Sequence, residues 1–166
     1  MELIDKLKEI PNSGTHQCFA CSPVNRSGLR MKLFTDNRYV YSWPSVPAHM
    51  GGWNRIVHGG IVCTILDEIM GWAGLFFLKQ VTLTRSMTVE FISAVKVQEK
   101  LKARAHVVEF DGRRTAKAEA EIFNEKGVRC ATAFGSFAVL SPQVARRLGI
   151  MTDEDIKTFF EPLLKM

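Results

Sequence analysis

The sequence predicts an α+β fold in which an antiparallel sheet packs around one long helix. The first observation behind this prediction is a segment at residues 59–78 that is almost wholly apolar and long enough for a buried helix. The second is a set of β-rich runs, two before this segment and four after it. One helix enclosed by an antiparallel sheet satisfies both observations.

The segment before the helix is predicted to contain one helix and two strands. Residues 1–10, MELIDKLKEI, place four apolar residues on one helical face and predict an amphipathic helix that ends at Pro11. The loop CFACSPVNRSG, residues 18–28, is rich in turn-forming residues. Residues 29–35 and 39–43 are rich in aromatic and β-branched residues and predict two strands.

The segment after the helix is predicted to form four strands in a meander, at residues 82–97, 100–110, 115–123 and 128–140. The third strand alternates strictly between apolar and charged residues, as expected for a sheet with one solvated face, and the fourth is largely apolar and predicted to be central. In the turn NEKG, Gly127 is expected at positive φ. Ser141 and Thr152 are expected to cap two short C-terminal helices.

The composition describes a soluble globular chain of 166 residues, of which 46% are hydrophobic and 23% charged. We divide it into an N-terminal helix and loop (1–17), a main domain (18–140) and a C-terminal helical extension (141–166). Asp67 and Glu68 interrupt the longest apolar run, which argues against a membrane span. Four scattered cysteines argue for a reducing, cytoplasmic setting. The net charge of +5 suits an anionic ligand, but no Lys/Arg-rich run typical of nucleic-acid binders is present.

Asp67 is the first candidate functional residue. A helical projection places five large apolar residues on one face (Ile61, Ile65, Ile69, Trp72, Phe76) and five mostly small residues on another (Gly60, Cys63, Asp67, Gly71, Gly74). Small residues allow a ligand or another backbone to approach the helix closely. Desolvation there would disfavour the charged form of Asp67, which makes it a candidate for chemistry.

The start of the helix is the second candidate. His58 is followed by Gly59 and Gly60, and the first turn of a helix has unpaired N–H groups that a substrate oxygen can approach when glycines are present. This arrangement is an oxyanion hole in outline. The alternative remains open that the two glycines only form a turn and that Asp67 only bonds a neighbouring loop.

The segment HGGIVCTILDEIMGWA resembles the central-helix motif of hotdog-fold acyl-CoA thioesterases of the phenylacetate-degradation type, which have His-Gly-Gly and an acidic residue eight positions after the first Gly. CFACSPVNRSGLRMKL resembles an N-terminal segment of many members, and TLTRSMTVEFISAV resembles the strand after the helix. The resemblance covers residues 18–140. The loop before the motif is longer than usual, and Ala94 replaces a usual Pro.

The resemblance implies a hotdog fold, acyl-CoA or acyl-carrier-protein thioesters as substrates, and homodimers or homotetramers with active sites between subunits. It implies that the Gly59 N–H polarises the thioester carbonyl, that Asp67 is the base or nucleophile, and that His58 orders the loop. It also implies that Thr84 helps to position water from the partner chain. Asp67 either activates water or attacks directly, and the sequence does not decide between these routes. The expected reaction is thioester hydrolysis; the alternatives are a non-catalytic acyl-CoA binding or sensing domain and a hydratase.

Other candidate residues carry two interpretations each. Arg113 and Arg114 either clamp CoA phosphates or form a solvated basic edge. Gly60, Trp53 and Asn54 are candidate substrate contacts. The aromatic residues Trp43, Trp53, Trp72, Phe76 and Phe77 either line an acyl tunnel or pack in the core, with Trp53 the best tunnel candidate.

Cofactors are not expected. Cys18 and Cys21, with His16 nearby, offer half of a metal site, but no second ligand pair follows, so no metal is predicted. Cys63 and Cys130 are interpreted as core residues. Glu68 is expected to pair with an arginine or to cap a loop.

Overall fold

A seven-stranded antiparallel sheet around the long helix α1 forms the frame of the molecule and confirms the predicted fold class. The computed structural model describes residues 7–14 and 16–166. Helix α1 spans Gly59–Leu78, as predicted. Within the described residues the strands are β1 (Lys8–Glu9), β2 (Phe34–Thr35), β3 (Val40–Ser42), β4 (Val81–Phe91), β5 (Lys102–Phe110), β6 (Thr115–Phe123) and β7 (Arg129–Leu140).

The order of the strands in the sheet is β1-β2-β3-β5-β6-β7-β4, which corrects the predicted four-strand meander. Of the four strands after the helix, only β5, β6 and β7 follow one another as a meander. Strand β4 pairs with β7 at one end of the sheet, while β5 pairs with β3 on the other side. The connection between β4 and β5 therefore crosses the sheet instead of forming a hairpin. The prediction that β7 lies inside the sheet is confirmed, since it has a partner on each side.

The N-terminal segment joins the sheet, so the predicted helix at residues 1–10 is wrong where the structure describes it. Lys8–Glu9 pairs antiparallel with Phe34–Thr35, and the Ile10 N–H donates to the Leu33 carbonyl at 2.8 Å. The Ile10 side chain is buried in the core. Residues 1–6 lie outside the described part of the chain. The apolar positions at the end of this segment thus serve a strand and not a helical face.

Helix α1 lies in the core of the molecule. Its buried side chains are Val62, Ile65, Leu66, Ile69, Met70, Trp72, Ala73 and Phe76. By length and composition alone the helix could cross a membrane, but half of its most apolar window is buried inside the protein. The core helix of a soluble protein passes the same test, so this feature is weak evidence for a span.

The predicted alternation of β6, the positive φ of Gly127 and the two C-terminal helix caps are confirmed. Strand β6 alternates as expected, with Ala116, Ala118, Ala120 and Ile122 buried. Gly127 has a φ of +76° in its turn. Ser141 caps helix α2 (Pro142–Arg147) through the Val144 N–H, and Thr152 forms a reciprocal capping box with Asp155.

The C-terminal extension covers one end of α1. Its last part consists of α3 (Asp153–Asp155), a π-helical turn (Ile156–Phe160) and α4 (Glu161–Leu164). Phe160 packs with Val81 at the beginning of β4, and the Lys79 ammonium donates to the Leu163 carbonyl at 2.7 Å. This placement closes a cavity beside the second half of α1.

Candidate active site

A cavity of about 400 Å³ lies between helix α1, the first part of β4, the loop that contains Cys18, and the C-terminal helices. Its polar lining comes from His16, Cys18, Cys21, Asp67, Glu68, Thr82, Thr84 and Asp155. Its apolar lining comes from Trp72, Leu75, Val81, Ile150, Met151 and Phe159, with Gly71 between the two groups. Four elements of the chain therefore line one pocket, as is usual for a binding site.

Asp67 and Thr84 form a hydrogen-bonded pair on the wall of this cavity. The Thr84 hydroxyl donates to the Asp67 carboxylate, with 2.6 Å between Oγ1 and Oδ1. Asp67 is half-buried, and Thr84 is exposed. The helix thus supplies the carboxylate and the adjacent strand supplies the hydroxyl that orients it. The second oxygen of Asp67 is left without a hydrogen-bond partner among the described residues.

The helix begins at Gly59, as the sequence predicted, but its first turn does not line this cavity. His58 caps the helix, and its Nδ1 accepts a hydrogen bond from the Gly60 N–H at 3.0 Å. The Gly59 N–H makes no hydrogen bond within the described part of the chain. Gly59 faces the exposed ring of Phe91 at the end of β4, since a Cβ added there would lie 3.6 Å from that ring. Eight residues of helix separate Gly59 from Asp67, a rise of about 12 Å.

The small-residue face of α1 has two different causes. At Gly74 the Thr82 side chain comes so close that an added Cβ would lie 2.6 Å from its methyl group. The Thr82 hydroxyl also donates to the Gly71 carbonyl at 3.1 Å. At Gly71 itself nothing lies within 4 Å of an added Cβ, because this residue faces the cavity. On the small-residue face, Gly74 therefore allows strand β4 to pack closely, whereas Gly71 borders the open cavity.

Glu68 follows Asp67 in the helix and faces the loop that contains Cys18. The sequence interpretation gave it an arginine partner or a loop cap. No described arginine pairs with it, and its contact with the loop is made through the Cys18 side chain. Its Oε1 accepts a hydrogen bond from the Trp72 indole N–H at 2.8 Å, and its Oε2 lies 3.5 Å from the Cys18 sulfur. Burial, with the nearby Cys18 as a second cause, raises the pKa of Glu68 to about 7.

Cys18 and Cys21 lie beside Glu68 and interact with each other. The hydrogen bond from the Cys21 thiol lowers the pKa of Cys18 to about 5 against the opposing effect of burial. The same interaction, together with burial and the Glu68 charge, raises the pKa of Cys21. The thiolate form is therefore favoured at Cys18 and the thiol form at Cys21.

Several predicted substrate contacts lie outside the cavity of this chain. Trp53 is 86% exposed at the tip of a tight turn, and Asn54 beside it has a φ of +43°. Arg113 and Arg114 lie in the exposed turn after β5, where the Asp111 carboxylate accepts their backbone N–H groups. Among the candidate tunnel aromatics only Trp72 lines the cavity.

The outward basic residues near these arginines are already paired. Lys117 bonds Glu109 at 2.6 Å, and Arg129 bonds Glu121 at 3.2 Å. Arg113 and Arg114 make no ion pair within residues 7–14 and 16–166, so their guanidinium groups stay available to an anionic ligand.

Of the apolar residues that line the cavity, sequence reasoning named only Trp72. Leu75 and Val81 belong to elements that were predicted, but Ile150, Met151 and Phe159 come from the C-terminal extension. The one signal in the sequence was the pair of aromatic residues in a short polar helix, Phe159 and Phe160, which nothing in that helix alone could bury.

Comparison with known proteins supports the fold. The thioesterase superfamily model matches residues 54–131, which include α1 and β4–β6. The sequence matches no curated protein. A solved thioesterase superfamily protein is 20% identical, with 76% of this chain and 62% of that chain aligned and a TM-score of 0.69. The alignment therefore spans less than two thirds of that longer relative.

Two further solved structures are similar. A hypothetical thioesterase from Streptococcus pneumoniae with coenzyme A is 22% identical over 63% of this chain and 82% of that chain, with a TM-score of 0.58. A thioesterase from Haemophilus influenzae is 18% identical over 73% of this chain and 85% of that chain, with a TM-score of 0.65. The chain has the hotdog fold, and its residues 54–131 are similar to the thioesterase superfamily.

Proposed function

We propose that this protein hydrolyses an acyl-CoA thioester to the free acid and the CoA thiol. The observation that carries the proposal is the Asp67–Thr84 pair, a carboxylate held by a hydroxyl at 2.6 Å on the wall of a half-apolar cavity. A carboxylate held in this way serves either as the general base for water or as the nucleophile. The matched thioesterase superfamily model, which includes Asp67 and Thr84, supports hydrolysis in general.

A complete site requires two copies of the chain. Gly59 and Asp67 of one chain, about 12 Å apart along the helix, are too far from each other to contact one thioester carbonyl. Strand β4 ends the sheet, and most of its residues from Leu83 onward are exposed. Unpaired strand edges of this length favour pairing with another chain.

Antiparallel pairing of two β4 strands would bring Asp67 of one chain close to Gly59 of the other. Within one chain Asp67 touches Thr84, near the beginning of β4, and Gly59 faces Phe91, at its end. A two-fold axis between these positions places the beginning of one β4 opposite the end of the other. The Asp67 carboxylate of one chain then approaches the free Gly59 N–H of its partner. We therefore infer a homodimer with two sites; a homotetramer would leave these sites unchanged.

The reaction at this composite site follows from charge placement. The Gly59 N–H and the positive end of the α1 dipole stabilise the oxyanion that forms on the thioester carbonyl. Asp67 either removes a proton from the attacking water or attacks the carbonyl itself, and water then releases the acid. The C–S bond breaks and the CoA sulfur leaves with a proton. His58 holds the helix start in place through the Gly60 N–H.

The two halves of the substrate fit different parts of the protein. The apolar lining beside Asp67, with Trp72, Leu75 and Phe159, suits an acyl group. Arg113 and Arg114, both without ion pairs in the described chain, suit the CoA phosphates. The Streptococcus pneumoniae relative was crystallised with coenzyme A, which supports this ligand class. The proposal also places the protein in the cytoplasm.

The test measures thiol release from a panel of acyl-CoAs of increasing chain length, with enoyl-CoA hydration as a parallel assay. Asp67→Asn is expected to lower kcat/KM by about a thousandfold while acyl-CoA binding remains, since it removes the base or nucleophile. Glu119→Gln makes the same carboxylate-to-amide change on the exposed face of β6 and serves as the control. Wild-type hydrolysis in Asp67→Asn would refute the assignment, and binding without turnover in the wild type would favour the sensing alternative.

A further inference from the structure

We propose that Cys18, Cys21 and Glu68 form a zinc site that links the N-terminal loop to helix α1. The three side chains each offer one ligand atom, and these atoms all lie within 4.8 Å of one another. The sequence showed only the two cysteines, which are half of a site. The fold adds the third ligand from a helix fifty residues away.

The distances suit a tetrahedral ion. Zinc binds thiolate sulfur at about 2.3 Å and carboxylate oxygen at about 2.0–2.2 Å, so neighbouring ligands around it lie about 3.5–3.8 Å apart. The Cys18 sulfur and the Glu68 Oε2 are 3.5 Å apart. The spacing Cys-x-x-Cys allows one short loop to supply two ligands to a single ion. The side chains therefore need little movement to close around zinc.

The chemistry of the ligands selects the metal. Two thiolates favour a borderline or soft cation and disfavour calcium and magnesium, which prefer oxygen. Four thiolates, which iron–sulfur clusters require, are not present at this place, because Cys63 and Cys130 lie outside the cluster. Zinc is the divalent ion that these observations favour.

The surroundings of the cluster explain why a cation would be stabilising. Glu68 is half-buried and makes no ion pair with any described Lys or Arg. Cys21 is buried and Cys18 is half-buried. Charged forms of these groups are costly without a positive partner. A divalent cation neutralises two of these negative charges at once and displaces the proton of the remaining thiol to solvent.

Outer contacts already hold the ligands in place. The Trp72 indole N–H fixes one oxygen of Glu68 at 2.8 Å and leaves the other directed toward Cys18. The Asn12 amide donates to the Cys21 carbonyl at 2.7 Å, and the Cys18 N–H donates to His16 Nδ1 at 3.3 Å. Such contacts orient metal ligands and are a regular part of metal sites.

His16 is not the fourth ligand. Its Nδ1 accepts from the Cys18 N–H, and its Nε2 lies 2.6 Å from the Asn12 Oδ1, so both ring nitrogens are engaged. The three ligands line the cavity, and the fourth position on zinc would therefore be taken by water from that cavity. The site would fix the residue next to Asp67 and so the orientation of the cavity wall.

The experiment measures metal in the full-length protein. The protein is purified under reducing conditions without chelator and without a metal-affinity step, and zinc is measured by mass spectrometry of the elements. About one zinc per chain is expected. After zinc removal, cobalt titration of the reduced protein should give a thiolate-to-cobalt charge-transfer band and the intense visible bands of a tetrahedral ion. This spectrum needs no variant and reports on the folded protein directly.

Variants then assign the ligands. Cys18→Ser and Cys21→Ser should each weaken cobalt affinity at least about a hundredfold, and Glu68→Gln about ten- to a hundredfold. Cys63→Ser is the matched control, since this thiol is half-buried on the same helix but outside the cluster, and it should keep the wild-type spectrum. Circular dichroism checks that each variant is folded.

Three results would overturn the proposal. One is zinc below about a tenth of an equivalent together with no charge-transfer band in the reduced wild-type protein. Another is an unchanged cobalt spectrum in folded Cys18→Ser. A Cys18–Cys21 disulfide, seen as a loss of two hydrogens in the intact mass of the freshly purified protein, would also count against it. None of these measurements uses a substrate, so failure here leaves the hydrolysis proposal untouched.

Discussion

Asp67 and Glu68 are neighbours on the same helix, yet their surroundings differ in every respect that matters for chemistry. Asp67 is half-buried on the cavity wall and is held by one hydroxyl, that of Thr84. Glu68 is also half-buried, but it lies between the Trp72 indole and the Cys18 sulfur, and burial raises its pKa to about 7. The first carboxylate meets the space a substrate can enter, and the second meets fixed side chains.

This difference teaches that the direction of a side chain, and not the polarity of its segment, decides what a carboxylate can do. Consecutive residues of a helix point about 100° apart, so one faces β4 and the other faces the N-terminal loop. Asp67 keeps an oxygen available for water or an acyl carbon. Glu68 has one oxygen held by an N–H donor and the other beside a sulfur, which suits binding an ion better than transferring a proton to a substrate.

With both carboxylates left in place, the largest expected effect comes from removing the partner of Asp67. Thr84→Ala should lower kcat by about ten- to a hundredfold, because Asp67 loses the hydrogen bond that orients it. KM and the free energy of unfolding should change little, since Thr84 is exposed. Steady-state thiol release measures this. Thr88→Ala, further along the same strand, is the control, and equal losses in both variants would contradict a specific role for Thr84.

The next effect separates the two causes of the small helix face. Gly74→Ala should lower the free energy of unfolding by about 1–2 kcal/mol, because its Cβ would lie 2.6 Å from the Thr82 methyl group and displace the Thr82 bond to Gly71. Gly71→Ala should raise it by about 0.5–1 kcal/mol, since nothing obstructs its Cβ and alanine favours the helix. Urea unfolding measures both; equal effects would refute the distinction.

Removing the partner of Glu68 should cost stability. Trp72→Phe deletes the N–H that donates to Glu68 and leaves a buried acceptor unpaired, at a cost of about 1–2 kcal/mol in the free energy of unfolding. Trp43→Phe makes the same replacement where the indole packs on Tyr41 and makes no hydrogen bond within the described chain. Urea unfolding of both variants gives the difference. A Trp72→Phe protein no less stable than Trp43→Phe would show that the Glu68 bond contributes nothing.

Local patterns predicted the elements well, because they report on local physics. The apolar run and the His58-Gly-Gly start predicted α1 with its observed bounds, and strict alternation predicted β6. The order of the sheet was not predictable in this way. Strand β4 follows the helix in sequence but pairs with β7, and this choice depends on packing around the whole helix.

The same limit applies to the site. Asp67 was found from the small residues around it, and Thr84 was named from the resemblance to a known family as a residue that positions water. Its hydrogen bond to Asp67 was not predicted. The environment of Glu68 could not be read, because Cys18 lies fifty residues earlier and only the folded chain brings the two together. The effect of burial on the pKa of Glu68 was therefore not predicted.

The smallest expected effect concerns a third carboxylate environment, one with arginine partners. Glu121 accepts from Arg104 at 2.8 Å and from Arg129 at 3.2 Å. Burial acts to raise the pKa of Glu121, but the two guanidinium groups more than offset this and hold it below its ordinary value. Because these side chains are partly exposed, the stabilisation is only about 0.5–1 kcal/mol.

The sign of the pH dependence follows from this lowered pKa. A group whose pKa is lower in the folded state stabilises the protein fully above its unfolded pKa, about 4.3 for glutamate, and loses that contribution as the pH falls through the folded pKa. Glu121→Gln should therefore be less stable than the wild type at pH 7, with a difference that shrinks below about pH 4.3 and disappears in stronger acid. Urea unfolding across this range measures it. Glu119→Gln is the control, because Glu119 lies on the same strand and makes no ion pair among the described residues; it should show no such trend. A pH-independent difference for Glu121→Gln would mean that packing rather than charge holds this carboxylate.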